Sequence, residues 1–202
     1  MKRQITLVLL IFLAAAALTA STVLNVSFDQ LSRSANRVVN GEILSVNPVA
    51  GPNGIIYSNV ALRVTRAVPR ALEGQTITVR MVGGELDGRR VYVQGMPRFE
   101  AGEEVVLFLN RQTSTVMGPT VGLWQGVFYV GRDKATGESF ILDHNRQPVL
   151  GLTERAEILK GPKTPADFSL KSLSLEGGRE PWSADRFFDS VRGFRGTQNV
   201  NR

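Results

Sequence analysis

Residues 56–66, with the sequence IYSNVALRVTR, are the clearest strand signal in the chain. Val60, Leu62 and Val64 alternate there with smaller or polar residues. A period of two places successive side chains on opposite faces, so this pattern predicts a β-strand with one buried and one mostly wet face. Residues 75–82, QTITVRMV, repeat the alternation. These two stretches predict a sheet.

Further strand signals lie on both sides of this pair. Residues 105–109, VVLFL, are apolar throughout, which predicts burial on both faces. Gly41 interrupts an earlier strand and predicts a bulge or a close backbone approach. Short strands separated by turns, with no helix between them, favour a barrel or a sandwich. The expected strands are Arg37–Val46, Ile56–Arg66, Gln75–Val82, Val91–Val93, Val105–Leu109, Leu123–Gly131 and Ser139–Leu142.

Two helices are expected to flank the strands. Ser27 and Gln30 have the spacing of a capping box, which predicts a short helix that ends at Asn36. A C-terminal amphipathic helix is expected to begin after Ser183 and to end at Gly193. We expect it to dock on the β-domain, because so short a helix is not stable alone in water. Its apolar stripe consists of Ala184, Phe187, Phe188 and Val191.

The chain opens with the pattern of a secretory signal peptide. Lys2 and Arg3 precede an apolar run over residues 5–18, and small residues follow, so we expect cleavage after Ala20. The run is shorter than the roughly 20 residues of a membrane helix. We therefore expect a periplasmic or secreted protein with no stable membrane span. An uncleaved signal anchor is the alternative.

Glycine and proline punctuate the segment after the strands and predict a linker. The expected organisation is a signal peptide over 1–20, a β-barrel domain with its N-terminal helix over 21–159, and a linker with the C-terminal helix over 160–202.

Composition excludes several kinds of chemistry. The chain has no cysteine and one histidine, which excludes disulfides, thiolate metal sites, a cysteine nucleophile and any metal site with two histidines. His144 is interpreted as an exposed turn residue. Glu100, Glu103 and Glu104 are interpreted as a solvated turn before a buried strand, and Glu85 and Asp87 follow the break at Gly83-Gly84. No nucleotide-binding glycine motif or EF-hand occurs. No catalytic residue, cofactor or metal is expected.

The formal net charge of +6 leaves the class of partner open. A basic face with exposed aromatic side chains could bind single-stranded nucleic acid. However, Phe108, Trp124 and Phe128 lie in apolar segments that read as core, and an exported protein rarely meets nucleic acid. We expect no nucleic-acid partner. Anionic envelope polymers and acidic proteins remain possible partners of a basic surface.

Several segments together resemble a group of uncharacterised exported bacterial proteins. Their central domain is similar in layout to the NTR module, the OB-type β-barrel of tissue inhibitors of metalloproteinases (TIMP) and netrins. The resemblance covers Phe28–Leu142 and the C-terminal helix, and it is most specific over Gly95–Leu109. The segments are FDQL, RVVNGEILSV, IYSNVALRVTRAV, ITVRMVGGELDG, VQGMPRFEAGEEVVLFL and GLWQGVFYV.

The resemblance implies a mainly β, OB/NTR-like antiparallel barrel that presents loops to a protein partner. Metalloproteinase inhibitors of this fold chelate zinc through an N-terminal cysteine. This chain has none and is expected to begin near Ser21, so no inhibitory residue is carried over.

The leading hypothesis is an exported, non-enzymatic binding module whose partner is a protein, with an exported protease as one candidate. The loop Met96–Gly102 is the candidate site, because Met96, Pro97 and Phe99 offer apolar anchors beside Arg98. In the alternative interpretation, Met96 and Phe99 plug the end of the barrel. The other functional hypotheses are a hydrolase or binding protein that acts on envelope polymers through Asp or Glu, and an envelope-anchoring protein.

Overall fold

A computed structural model describes residues 25–111, 118–134, 136–163 and 179–196. The expected signal peptide, its cleavage site and most of the expected linker lie outside these residues. The helices are α1 (Phe28–Ser34) and α2 (Ala184–Gly196). The strands are β1 (Arg37–Ala50), β2 (Ile56–Val68), β3 (Thr76–Val82), β4 (Gly84–Leu86), β5 (Arg89–Val91), β6 (Glu104–Leu109), β7 (Val127–Arg132), β8 (Ser139–Leu142), β9 (Val149–Leu152) and β10 (Ile158–Lys160).

Six strands form one antiparallel sheet in the order β3-β2-β1-β6-β7-β8. The hairpins β4–β5 and β9–β10 form two separate two-stranded sheets. Most expected strands are confirmed, with three corrections. The strand expected at Val91–Val93 ends at Val91, the one expected from Leu123 begins at Val127 after a 3-10 turn, and β4, β9 and β10 were not expected.

The predicted mainly β class is confirmed, but the predicted barrel is wrong, because the sheets of the described residues do not close into one. Among the described residues no backbone ladder joins β3 to β8, so the sheet is open. It curls far enough that Val79 and Met81 of β3 share one apolar core with Phe140 of β8. Phe99 and Met96, from the loop before β6, pack against the same core. Side-chain packing therefore completes this core without the hydrogen bonds that would close a barrel.

Gly41 explains part of the curl. The β1–β2 register shifts between Asn40 and Gly41, which confirms the expected bulge. A β-carbon at Gly41 would overlap the carbonyl oxygen of Arg63 on the neighbouring strand. The two strands therefore approach closely where only glycine fits, and a bulge bends the strand that carries it.

The two helices cover the other face of the sheet. Ser27 and Gln30 form the expected capping box of α1, and the Ser183 hydroxyl accepts a hydrogen bond from the amide of Arg186 at the start of α2. Phe187 and Phe188 of the expected stripe are fully buried, so the docking of α2 is confirmed. These residues pack with Phe28, Leu31, Phe108, Phe128 and Ile141 in a second core.

Helix α2 does not end at Gly193 as expected but continues to Gly196. Its last turn is held by contacts with α1. The Phe194 ring lies 5.8 Å from that of Phe28. The Arg195 guanidinium donates to the carbonyls of Ser32 and Ala35, at 3.0 and 2.6 Å. These contacts outweigh the roughly 1 kcal/mol that a glycine costs inside a helix.

Candidate functional site

The loop selected from the sequence borders a groove of about 390 Å³. Its walls come from the ends of β1, β2 and β3, from the β4–β5 hairpin, and from residues 92–99. Residues far apart in the sequence therefore meet at one place, beside the edge strand β3.

The floor of the groove is apolar. It consists of buried core side chains, Val60, Met81 and Phe99, together with the half-buried Val46 and Met96. A concave apolar surface with a few polar groups at its rim is the usual form of a binding site.

Two glycines and a serine set the position of the hairpin wall. Gly83 and Gly84 have positive φ angles of 106° and 145°, a region in which glycine is favoured. The Ser58 hydroxyl donates to the carbonyl of Gly83 at 2.8 Å. A β-carbon at Gly84 would lie 2.6 Å from the same hydroxyl. The glycines thus let the chain leave β3, turn sharply and pass close over β2.

The charges of the groove lining are unbalanced. Glu85 and Arg90 form an ion pair with an N–O distance of 2.6 Å, which cancels their charges. The Arg98 guanidinium stacks on the Tyr92 ring, 4.6 Å from its centroid, and it forms no ion pair with any carboxylate among the described residues. The rim therefore carries one uncompensated positive charge.

The residues predicted from the sequence divide into two groups. Phe99 is only 7% exposed and belongs to the core, while Met96 and Pro97 are half-buried and Arg98 is exposed. The structure thus assigns Phe99 a packing role and leaves three side chains of the loop accessible from the groove. The loop is also tied to the sheet, because the Tyr129 hydroxyl donates to the Arg98 carbonyl at 3.4 Å.

Tyr92 was missed by the sequence analysis. It is 64% exposed, the largest exposure among the big apolar side chains that the structure describes. Its place in the short run VYV suggested a strand, in which an aromatic ring is usually packed. Because β5 ends at Val91, Tyr92 lies outside the strand, and its ring is exposed at the groove mouth beneath Arg98.

The acidic pair Glu103 and Glu104 is engaged in ion pairs. Glu103 contacts Arg146 at 2.5 Å and Glu104 contacts Arg132 at 2.6 Å. Arg146 also lies over the Tyr129 ring. Burial raises the pKa of Tyr129, Glu103 raises it further, and Arg146 opposes them. These carboxylates act as structural partners of arginine.

His144 is half-buried, not exposed as expected. It lies next to the buried Asp143 and to the ring of Trp124. The Asp143 Oδ1 accepts hydrogen bonds from the backbone amides of Asn145 and Gln147, at 2.8 and 2.9 Å. Burial lowers the pKa of His144, Asp143 raises it, and Lys160 lowers it.

Within the described part of the chain, no group of acidic or histidine side chains has the arrangement of a metal site. No helix in that part is long and apolar enough to cross a membrane. Comparisons with protein-family models, with curated proteins and with solved structures find no match to this chain.

Proposed function

We propose that this protein is an exported, non-enzymatic binding module whose groove holds a segment of a partner protein. The observation that carries the proposal is the groove itself, where a preformed apolar floor meets an exposed tyrosine and an unpaired arginine. Aromatic side chains and arginine are the residue types that contribute most to protein interfaces.

The charge of the rim specifies the chemistry of the partner. The occupant is an exposed segment with an apolar side chain for the floor and a carboxylate next to it for Arg98. A carboxylate paired with arginine forms a charge-assisted hydrogen bond, which is stronger than a neutral one. An exported protease is one candidate for the protein that carries this segment.

The site of action follows from the N-terminal segment. The basic residues, short apolar run and small residues of positions 1–21 support export, so the partner is sought outside the cytoplasm. The resemblance to exported bacterial proteins that the sequence carries favours the same view.

We do not propose a hydrolase. Three carboxylates considered from the sequence are occupied, Glu85 by Arg90, Glu103 by Arg146 and Glu104 by Arg132, and Asp87 is exposed at a turn. A carboxylate already engaged by an arginine is poorly placed to exchange a proton with a substrate.

Site-specific photo-crosslinking tests the proposal. A photoreactive phenylalanine analogue replaces Tyr92 in one variant and Leu44, an apolar side chain that is 39% exposed outside the groove lining, in the other. We expect crosslinks to one segment of one exported protein from position 92 and none from position 44. Equal capture at both positions, or no capture at position 92, would overturn the proposal.

A synthetic peptide with the crosslinked sequence then measures the contribution of the rim charge. Arg98→Glu should weaken its binding by at least about tenfold, or roughly 1.4 kcal/mol, because reversal turns an attraction into a repulsion. Arg70→Glu is the matched control, since Arg70 is exposed and lies outside the groove lining. An equal loss in both variants would show a nonspecific charge effect and contradict the assignment of Arg98.

A further inference from the structure

A second pocket, of about 350 Å³, lies apart from the groove and shares no lining residue with it. Four separate parts of the chain form it: the segment before α1, the turn before β7 together with Phe128 of β7, the turn after β8, and β10 with the residue before it. The Gln125 Oε1 accepts the Val26 amide at 2.8 Å, which holds the first of these parts against the second.

An indole ring forms one wall of this pocket. Trp124 is half-buried, unlike the fully packed core residue expected from the sequence. One side of its six-membered ring is covered by Gly95, where a β-carbon would overlap the ring. The His144 ring lies 6.2 Å away, centroid to centroid, inclined by 57°. The glycine thus allows the backbone to support the indole from one side, while the ring remains part of the pocket wall.

The rest of the lining mixes apolar side chains, Val26, Phe128 and Ile158, with polar ones whose charges nearly cancel. Lys160 pairs with the buried Asp143 at 2.7 Å, which leaves the exposed Glu157 as the one uncompensated charge of the described lining. Burial lowers the pKa of His144, which favours the neutral imidazole. Asn25 adds a neutral amide.

We propose that this pocket binds a neutral sugar unit of a glycan. A pyranose ring has an apolar C–H face that matches the Trp124 indole, and hydroxyl groups at its edge that match Glu157, His144 and Asn25. An anionic unit is disfavoured, because Lys160 is already neutralised and Glu157 would repel it. A wholly apolar ligand is disfavoured, because it would leave these polar groups without partners.

The chain contains two tryptophans, and the second, Trp182, is only 5% exposed in the helix-side core. The two indole N–H resonances in ¹H–¹⁵N spectra therefore report separately on the pocket and on the core. We would titrate the whole protein with three neutral trisaccharides, of β-1,4-linked N-acetylglucosamine, of β-1,4-linked glucose and of α-1,4-linked glucose. Trigalacturonate serves as the anionic comparison.

We expect saturable shifts of the Trp124 resonance with at least one neutral trisaccharide, little change at Trp182, and weaker or no binding of trigalacturonate. Trp124→Ala should reduce the affinity, followed on neighbouring amides, at least tenfold. Tyr57→Ala, an aromatic truncation outside the lining, should leave it unchanged. Glu157→Ala should reduce it severalfold, and this exposed substitution keeps the test available if Trp124→Ala does not fold.

Three results would overturn the inference: no saturable shift with any neutral trisaccharide at 20 mM, a preference for trigalacturonate, or full affinity in Glu157→Ala together with Trp124→Ala. The groove proposal has its own readout at positions 92 and 98, so the two can fail independently.

Discussion

Removing the Phe187 ring is the most direct test of the helix-side core. The side chain is fully buried, and its ring lies 5.0 Å from Phe28, 4.9 Å from Phe128 and 6.0 Å from Phe108, centroid to centroid. Phe187→Ala should lower the free energy of unfolding by about 3–5 kcal/mol, the usual cost of truncating a buried phenylalanine. For a domain of this size that corresponds to a fall in Tm of about 6–20 °C.

Thermal unfolding followed by far-UV circular dichroism measures this change. Phe194→Ala is the matched control, because it lies on the same helix but is only half-buried. Its Tm should fall less than half as far. If Phe187→Ala shifts the Tm by no more than the control, α2 does not hold the sheet in solution, and the stripe is free for a partner.

Three further substitutions test separate parts of the fold. Gly41→Ala should destabilise by about 1–3 kcal/mol, because the added methyl group overlaps the Arg63 carbonyl; an unchanged urea midpoint would contradict the close approach. Val106→Asp places an unpaired charge at a fully buried position and should abolish folding; a soluble variant that melts cooperatively would contradict it. Burial lowers the pKa of His144 in the folded protein, so the unfolded chain takes up a proton at a higher pH than the folded protein does. The free energy of unfolding should therefore fall as the pH drops below about 6.5, the ordinary pKa of histidine. The free energy of unfolding in urea, measured at pH 5.0 and at pH 7.5, should differ less in His144→Gln than in the unsubstituted protein. An equal difference in both proteins would show that His144 does not cause the pH dependence.

The sequence predicted those elements whose local pattern and tertiary environment agree. Alternation over 56–66 identified β2, the VVLFL run identified β6, and the spacing of Ser27 and Gln30 identified α1. Strands β9 and β10 escaped notice because each is short and has no long alternation. The end of α2 was misplaced at Gly193, because contacts of the next turn with α1 have no local signature.

The groove, too, was predictable only in part from the sequence. Met96 and Arg98 could be selected as neighbours in one loop, but the groove also needs Ser58, Met81 and Arg90, which only the folded sheet brings there. The sheet stays open because β3 and β8 do not pair, and whether two edge strands pair depends on the curvature of the whole sheet. Sequence reasoning found a loop, and the fold made it part of a groove.

The hydrogen bonds from Arg195 to α1 bear on how the chain is made. They join residues 160 and 163 positions apart, and the same pairing of helices buries Phe28 with Phe187. During synthesis, one face of β6 and β7 therefore stays uncovered until α2 has emerged from the ribosome. A chain truncated ahead of α2 would leave this apolar face of the sheet open to solvent, and such exposed surface favours aggregation.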